Sequence, residues 1–369
     1  MMRNVRLGML AVGLFAVVLP LLGSRTAAAK EYMVAGNKPD NLSLIDLAQR
    51  KVVRHYKIPA GGPPFSMNVS PDGKIVYVLC NDNKSISGID LDSGKEVFRA
   101  HFPVDGMQIQ SVGGMTMSPD GKELFVEQSL TRLLSDQYQV MPTRMAVYRT
   151  DAGLHAKPVR IFATPRRIAE LVPSSDGKII YGLGWDLYAF DANSGKILKT
   201  YKVLNWNRPH AGPPDLLNFW PMYEQNGIFS TPYFYSRTDL PADNPESQKT
   251  GLLTLDLKTG EFRMTDFENT SAIIFSSVIS PKDHNEAFGT YITLSRIRLG
   301  SAPKLEKRVD LDHTHYVIDI SADGSEVYVG GAVSSIGVYS TKTLKRLATI
   351  SLPGDGDMGV GLMRVFSRP

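Results

Sequence analysis

Ser70-Pro71-Asp72-Gly73-Lys74-Ile75-Val76-Tyr77-Val78 couples a tight-turn former to a run of β-branched and aromatic residues. The Asp side chain accepts hydrogen bonds from nearby amides and Gly tolerates positive φ, so such a turn reverses the chain between antiparallel strands. The pattern returns at Ser118-Pro119-Asp120-Gly121-Lys122 before Glu123-Leu124-Phe125-Val126, and at Ser174-Ser175-Asp176-Gly177-Lys178 before Ile179-Ile180-Tyr181-Gly182. Looser copies stand at Ser280-Pro281-Lys282-Asp283 and Ser321-Ala322-Asp323-Gly324. Asp72, Asp120, Asp176 and Asp323 therefore read as turn formers rather than catalytic acids.

A second signature alternates with the first: a strand ending in Ile-Asp or a relative, a short turn, and another β-rich strand. It appears at Leu44-Ile45-Asp46-Leu47, Gly88-Ile89-Asp90-Leu91, Ala189-Phe190-Asp191 and Thr254-Leu255-Asp256-Leu257. Looser forms at Ala146-Val147-Tyr148, Ser295-Arg296-Ile297-Arg298 and Gly337-Val338-Tyr339 bring the count to seven. The copies recur every 41 to 65 residues or so. Four short strands per unit at this period is the pattern of a propeller blade. The expected fold is all-β: one seven-bladed β-propeller of four-stranded antiparallel blades over residues 30–369.

The chain ends sharpen this. The first unit has strand candidates at Tyr32–Ala35, Leu42–Leu47 and Val52–Ile58, with no turn-strand copy before them. After the last outer strand, Leu347–Leu352, the chain runs on into Val360-Gly361-Leu362-Met363-Arg364-Val365-Phe366. That C-terminal strand is expected to fill the vacant place in the first blade and close the ring, which also removes exposed sheet edges.

Residues 1–29 read as a signal peptide. Arg3 and Arg6 precede the apolar run Leu7–Leu22, and Ala27-Ala28-Ala29 forms the cleavage signal, so the mature chain starts at Lys30 in the periplasm with no membrane anchor. Loss of Arg3, Arg6 and Arg25 takes the formal charge from +4 to +1. The basic precursor is thus no indication of nucleic-acid binding. Hydrophobic residues at 43% and charged residues at 21% suit a globular core of this size. A single cysteine, Cys80, lies in an apolar run and reads as a core residue, since it has no internal partner for a disulfide. No C-x-x-C-H sequence occurs, so c-type haem attachment is not provided for.

Catalytic motifs are missing too: there is no nucleophile elbow, phosphate loop, H-E-x-x-H or dinucleotide fingerprint. His313-Thr314-His315 puts two imidazoles on one strand face, as a metal site requires, but no third ligand stands nearby in sequence. Hydrogen-bonded strand-entry histidines are the plainer reading. Long connections on a rigid ring are where partners bind. Three stand out: Glu127–Thr143, the aromatic run Asn205–Asp215, and Ser236–Thr250. Trp206, Asn207, Asp215, Phe219 and Trp220 are the partner or cavity candidates, whereas Trp185 reads as core packing.

Several segments together resemble the β subunit of quinohemoprotein amine dehydrogenase. They are Met141–Tyr148, Tyr181–Leu187, Asn205–Arg208, Pro214–Pro221, Gly251–Gly260 and Leu311–Tyr316, and the similarity runs through the whole mature chain. The resemblance implies a periplasmic α/β/γ heterotrimer that oxidatively deaminates primary amines to aldehydes and ammonia. A γ subunit then carries cysteine tryptophylquinone and the catalytic carboxylate. An α subunit carries two c-type haems and passes electrons to azurin or a cytochrome c. The β subunit holds γ and helps wall the substrate cavity, with no catalytic residue, cofactor or metal of its own. Two other readings stay open: a stand-alone periplasmic binding or scaffold propeller, and a lactonase-like or haem-d1-like propeller enzyme.

Overall fold

The computed structural model describes residues 30–216, 221–359 and 361–368, so the segment 1–29 read as a signal peptide lies outside the described residues. The chain forms seven antiparallel sheets, each built on four strands. Blades 2 to 7 are consecutive in sequence. Each begins with its innermost strand: Met67–Val69, Met115–Met117, Glu170–Pro173, Asp215–Leu216, Ser276–Ile279 and His315–Ile320. Blade 1 is composite. Its order from the rim inward is Lys51–Lys57, Asn41–Asp46, Lys30–Asn37 and then Met363–Arg368, so the C-terminal strand occupies the innermost place. Met363–Arg368 also touches the inner strands of blades 2 and 7, which closes the ring.

Burial explains why some strands are plain in the sequence and others are not. Asn41–Asp46 and Ile75–Cys80 are buried almost throughout, because each second or third strand is sandwiched between two blades. The outer strand Ile197–Tyr201 faces solvent along nearly its whole length. Cys80 lies fully buried, and burial pushes its thiol up to about 12.

The repeated turns carry a constant hydrogen-bond pattern. Ser70 Oγ donates to Asp72 Oδ1 (2.6 Å), the Lys74 amide donates to the same oxygen (3.1 Å), and the Ile75 amide donates to Ser70 Oγ (2.9 Å). Ser118/Asp120, Ser174/Asp176 and Ser321/Asp323 repeat it. The Ser174 hydroxyl and the Lys178 amide hold Asp176 down at about 2. Gly73, Gly121, Gly177 and Gly324 all sit at φ near +70°, the conformation the turn demands.

Blade 5 breaks the pattern where its first and second strands join. In place of Ser-Pro-Asp-Gly it carries Met222-Tyr223-Glu224-Gln225-Asn226, and these residues reach across the ring axis. Tyr223 Oη lies 3.1 Å from Thr116 Oγ1 of blade 3. Gln225 donates to Val365 O of blade 1, and Asn226 donates to Ile279 O of blade 6. Glu224 pairs with Arg364 at 2.9 Å. Arg364 is almost wholly buried on the closing strand and also donates to Met67 O of blade 2 and to Met222 Sδ. Asp319 of blade 7 accepts from the Val365 amide (2.8 Å), latching the closing strand to its other neighbour.

Burial pushes Asp319 up to about 7, helped by the Glu224 charge and opposed by the Val365 amide and Arg364. A carboxyl whose folded pKa exceeds its unfolded value stabilises fully below the unfolded value, and that contribution is lost as pH rises through the folded one. The window is therefore from about pH 4 to pH 7, with an upper bound of about 4 kcal/mol at 1.36 kcal/mol per unit. Glu127, pushed to about 7 by burial, acts in the same direction, whereas His315, pushed down to about 4, acts oppositely. Both persist in an Asp319→Asn variant and cancel in the difference. Urea unfolding at pH 5 and pH 8 is expected to show a smaller loss of stability at the higher pH in Asp319→Asn than in the parent chain. Equal losses would remove Asp319 as a titrating latch.

Candidate functional site

Antiparallel order dictates which face each connection occupies. Joins between first and second strands, and between third and fourth, lie on one face; the others lie on the opposite face. The Ser-x-Asp-Gly turns thus share one face. Most of the long connections fall on the other, among them residues 102–114, 202–214 and 237–247, together with the arm tip 134–137 and the turn 184–186; the connection 150–159 of blade 3 lies on the turn face. That loop face is the candidate site.

In blade 3 the expected insertion Glu127–Thr143 is ordered as strand. Glu123–Leu133 runs past its blade partners and pairs beyond the face with Met107–Gln110 on one side and Tyr138–Val140 on the other. This arm is pinned beneath by Glu127. Its buried carboxylate accepts from the Val112 amide (3.0 Å) and from Ser129 Oγ (3.0 Å). In blade 5 the strands Ile228–Ser236 and Gln248–Asp256 extend into the expected loop, leaving residues 237–247 as the connection.

Trp206 is packed rather than offered. Its ring meets Tyr233 and Tyr235 edge-on at centroid distances of 5.6 and 5.0 Å, and its Nε1 donates to Gly212 O (2.9 Å). Beneath it Asp266 accepts from Tyr233 (2.5 Å), Tyr235 (2.7 Å) and Arg208 (2.7 Å). Gly251 makes room for this stack, since a Cβ there would stand 2.2 Å from the Tyr233 ring. The aromatic run Asn205–Asp215 is therefore a connection fastened to blade 5 through its tryptophan. Asn207 and Asp215 remain exposed, but they are not brought together with Trp206 in one pocket. Phe219 and Trp220 lie outside the described residues.

Asp215 lines a groove of about 210 Å³ with Arg167, Gly184, Trp185, Leu204, Pro214 and Leu216. Here the expectation for Trp185 is corrected. It is 44% exposed rather than a core residue, because it stands beyond the end of Ile179–Leu183, in the turn to the next strand. Arg167 covers it with its guanidinium 3.7 Å from the ring centroid. The groove floor is tightly built: a Cβ on Gly184 would lie 2.9 Å from Arg167 O, and Arg167 itself sits at φ 70°.

His313 and His315 are separated by environment. His315 is 2% exposed, and burial pushes it down to about 4, so it is neutral near pH 7. His313 is exposed. Asp312 lies 3.7–3.8 Å from each ring, but its carboxylate is bound by Arg346 (2.6 Å) and held down at about 2. Among the described residues no group of three or more His, Cys, Asp or Glu side chains is placed to hold a metal ion.

Sequence reasoning missed the axial residues Arg364 and Asp319. Their signal was present: each is a charged residue inside an apolar strand, in Leu362-Met363-Arg364-Val365 and Val317-Ile318-Asp319-Ile320. Such placement implies a buried partner.

No family model and no curated protein matches the chain. Solved structures share its fold. A Kuenenia stuttgartiensis hydrazine synthase chain is similar with a TM-score of 0.54 at 14% identity, covering 86% of this chain and 90% of its own. The dihydro-heme d1 dehydrogenase NirN has a TM-score of 0.54 at 14% identity, with coverage of 90% and 75%. Apo AztD from Citrobacter koseri has 0.53 at 11% identity, with coverage of 92% and 98%. At such identities the likeness establishes the seven-bladed fold alone.

The packing makes a direct prediction. Trp206→Ala removes a large, half-buried ring packed on Tyr233 and Tyr235 and is expected to cost about 2–3 kcal/mol, below the range of a fully buried tryptophan. Asn207→Ala and Asp215→Ala change exposed side chains and are expected to stay within about 0.5 kcal/mol of the parent. Urea denaturation of the three variants measures the contrast, and a Trp206→Ala change as mild as the other two would contradict the packing.

Proposed function

We propose that this propeller is a non-catalytic, periplasmic subunit of an amine-oxidising dehydrogenase complex, and that its loop face receives the quinone-bearing chain. The observation that carries this reading is convergence. Of the segments that resemble the quinohemoprotein amine dehydrogenase β subunit, the ends or turns of Met141–Tyr148, Tyr181–Leu187, Asn205–Arg208 and Leu311–Tyr316 all reach the loop face, as does Pro214–Leu216. Segments drawn from blades 3, 4, 5 and 7 and their connections share a surface rather than a blade.

The chain's own residues suit a platform. The arm of blade 3 and the fastened connection of blade 5 form walls held by part-buried hydrogen bonds, so their shape is preset before any partner arrives. Walls of this kind orient a substrate and exclude water, while the quinone and the haems of the other chains supply redox chemistry when assembled. The lone, buried, neutral Cys80 offers no thiolate for covalent work.

Affinity capture of the tagged chain from the periplasm of amine-grown cells tests the reading. Haem-staining and quinone-staining chains are expected to co-purify, and the isolated propeller is expected to leave a primary amine unoxidised with an artificial electron acceptor. Capture of neither stain, or amine oxidation by the propeller alone, would overturn it.

A further inference from the structure

One strip of the loop face holds three arginines that no carboxylate among the described residues pairs with. Arg144, Arg166 and Arg167 come from two chain segments joined at the base of the arm, where Thr143 Oγ1 donates to Thr164 O (2.9 Å) and Pro165 O (3.2 Å). Elsewhere in blade 3, Arg149 and Arg160 are matched to Asp151 and Glu123. Among the described residues no carboxylate stands within 4.0 Å of any of the three. Arg144 is half-buried, with Nε donating to the neutral Gln128 amide oxygen (2.8 Å). Burial of this unmatched guanidinium holds it below its usual value. Arg166 and Arg167 are exposed.

Apolar surface flanks these cations on both sides. On the arm, Leu133, Leu134, Tyr138 and Val140 are all exposed, Tyr138 at 78% and Val140 at 62%. On the other side stands Trp185, with the groove leading to Pro214 and Leu216. Tyr138–Val140 is also an edge strand with every residue exposed. Exposed apolar area next to tryptophan and unmatched arginine is the composition of an interface core, whereas scattered single residues would need no explanation.

We infer that the strip from the blade 3 arm to Trp185 docks a partner polypeptide through an acidic segment flanked by apolar side chains. Charge complementarity selects this occupant. Carboxylates match the forked donors of Arg144, Arg166 and Arg167, and the flanking apolar residues match the arm and Trp185. A nucleic acid or an anionic membrane fits less well. The cationic stretch is short and is bounded by exposed leucine, valine and tyrosine. A second copy of this chain would set the three arginines against another set of three. The inference stands independently of the dehydrogenase reading, because it names the chemistry of the docked segment and not its cofactor.

Photo-crosslinking in the producing cells tests it, with p-benzoylphenylalanine in place of exposed Tyr138 in the full chain and mass spectrometry of the adduct. The expected adduct is a peptide of a different protein with an excess of Asp and Glu. Its yield is expected to fall about tenfold in an Arg166→Glu/Arg167→Glu background, and to fall in spheroplast extracts as salt rises from 0.05 to 0.5 M, as screening requires. Lys122→Glu and Lys178→Glu on the opposite face are expected to leave the yield unchanged. Arg166→Gln/Arg167→Gln serves as a milder variant, and the salt series needs no variant at all. An adduct to a second copy, to nucleic acid or to lipid overturns the inference, as does no adduct or a yield indifferent to both salt and the two arginines. An acidic peptide from a chain lacking haem and quinone would support docking while removing the dehydrogenase reading.

Discussion

Lys30–Ala35 and Met363–Arg368 lie side by side in antiparallel register, and everything else in this molecule is arranged around that pairing. A ring of blades without closure would end in two open sheets and an interrupted axis. Here the closing strand supplies the inner edge of blade 1 and places Arg364 on the axis, where blades 1, 2 and 5 meet through its contacts. Asp319 then ties the same strand to blade 7. The cost of burying these ionisable groups is offset because each finds hydrogen-bonded partners from a different blade. A pair that broke would leave an uncompensated charge at the centre.

This arrangement explains why the turn face and the loop face differ in character. Four of the turns are locked by the same Ser and Asp side chains, so they vary little and offer compact, solvated ends. Blade 5 gives up that turn chemistry so that Glu224 can reach Arg364, Gln225 can reach Val365 and Asn226 can reach Ile279. The opposite face carries no such constraint. Its connections lengthen into an arm and a fastened aromatic run without disturbing the axis, and function on a rigid scaffold settles where length is tolerated.

The fold was largely legible because its determinants are local. Asp-Gly turns state where the chain reverses, and strands buried on both sides state themselves as apolar runs such as Ile75–Cys80. The vacant place in blade 1 was legible for a counting reason: the first unit lacked one strand and the chain end had one to spare. The site was less legible because exposure is a tertiary property. Trp185 follows an apolar strand and looks like core, yet it stands one residue beyond Gly184, past the strand's end. Trp206 sits in a polar, proline-rich connection and looks available, yet Tyr233 and Tyr235 come from a strand more than twenty residues away to cover it. Unmatched charge is equally invisible in sequence, because it depends on which carboxylates come within reach.

That last point bears on how the loop face works. Pre-formed walls lower the ordering cost of association, and Glu127 and Asp266 show how the walls are preset, each gathering donors from separate segments beneath an exposed feature. Unmatched arginines act at a different stage. Exposed charge contributes little to stability but steers encounter and fixes register, while contact between apolar residues supplies the area that keeps a partner in place. On this face the two are interleaved: arm, arginines, Trp185, groove. Shape from part-buried hydrogen bonds and selectivity from unmatched charge are thus carried by different residues, which lets either be altered without unfolding the ring.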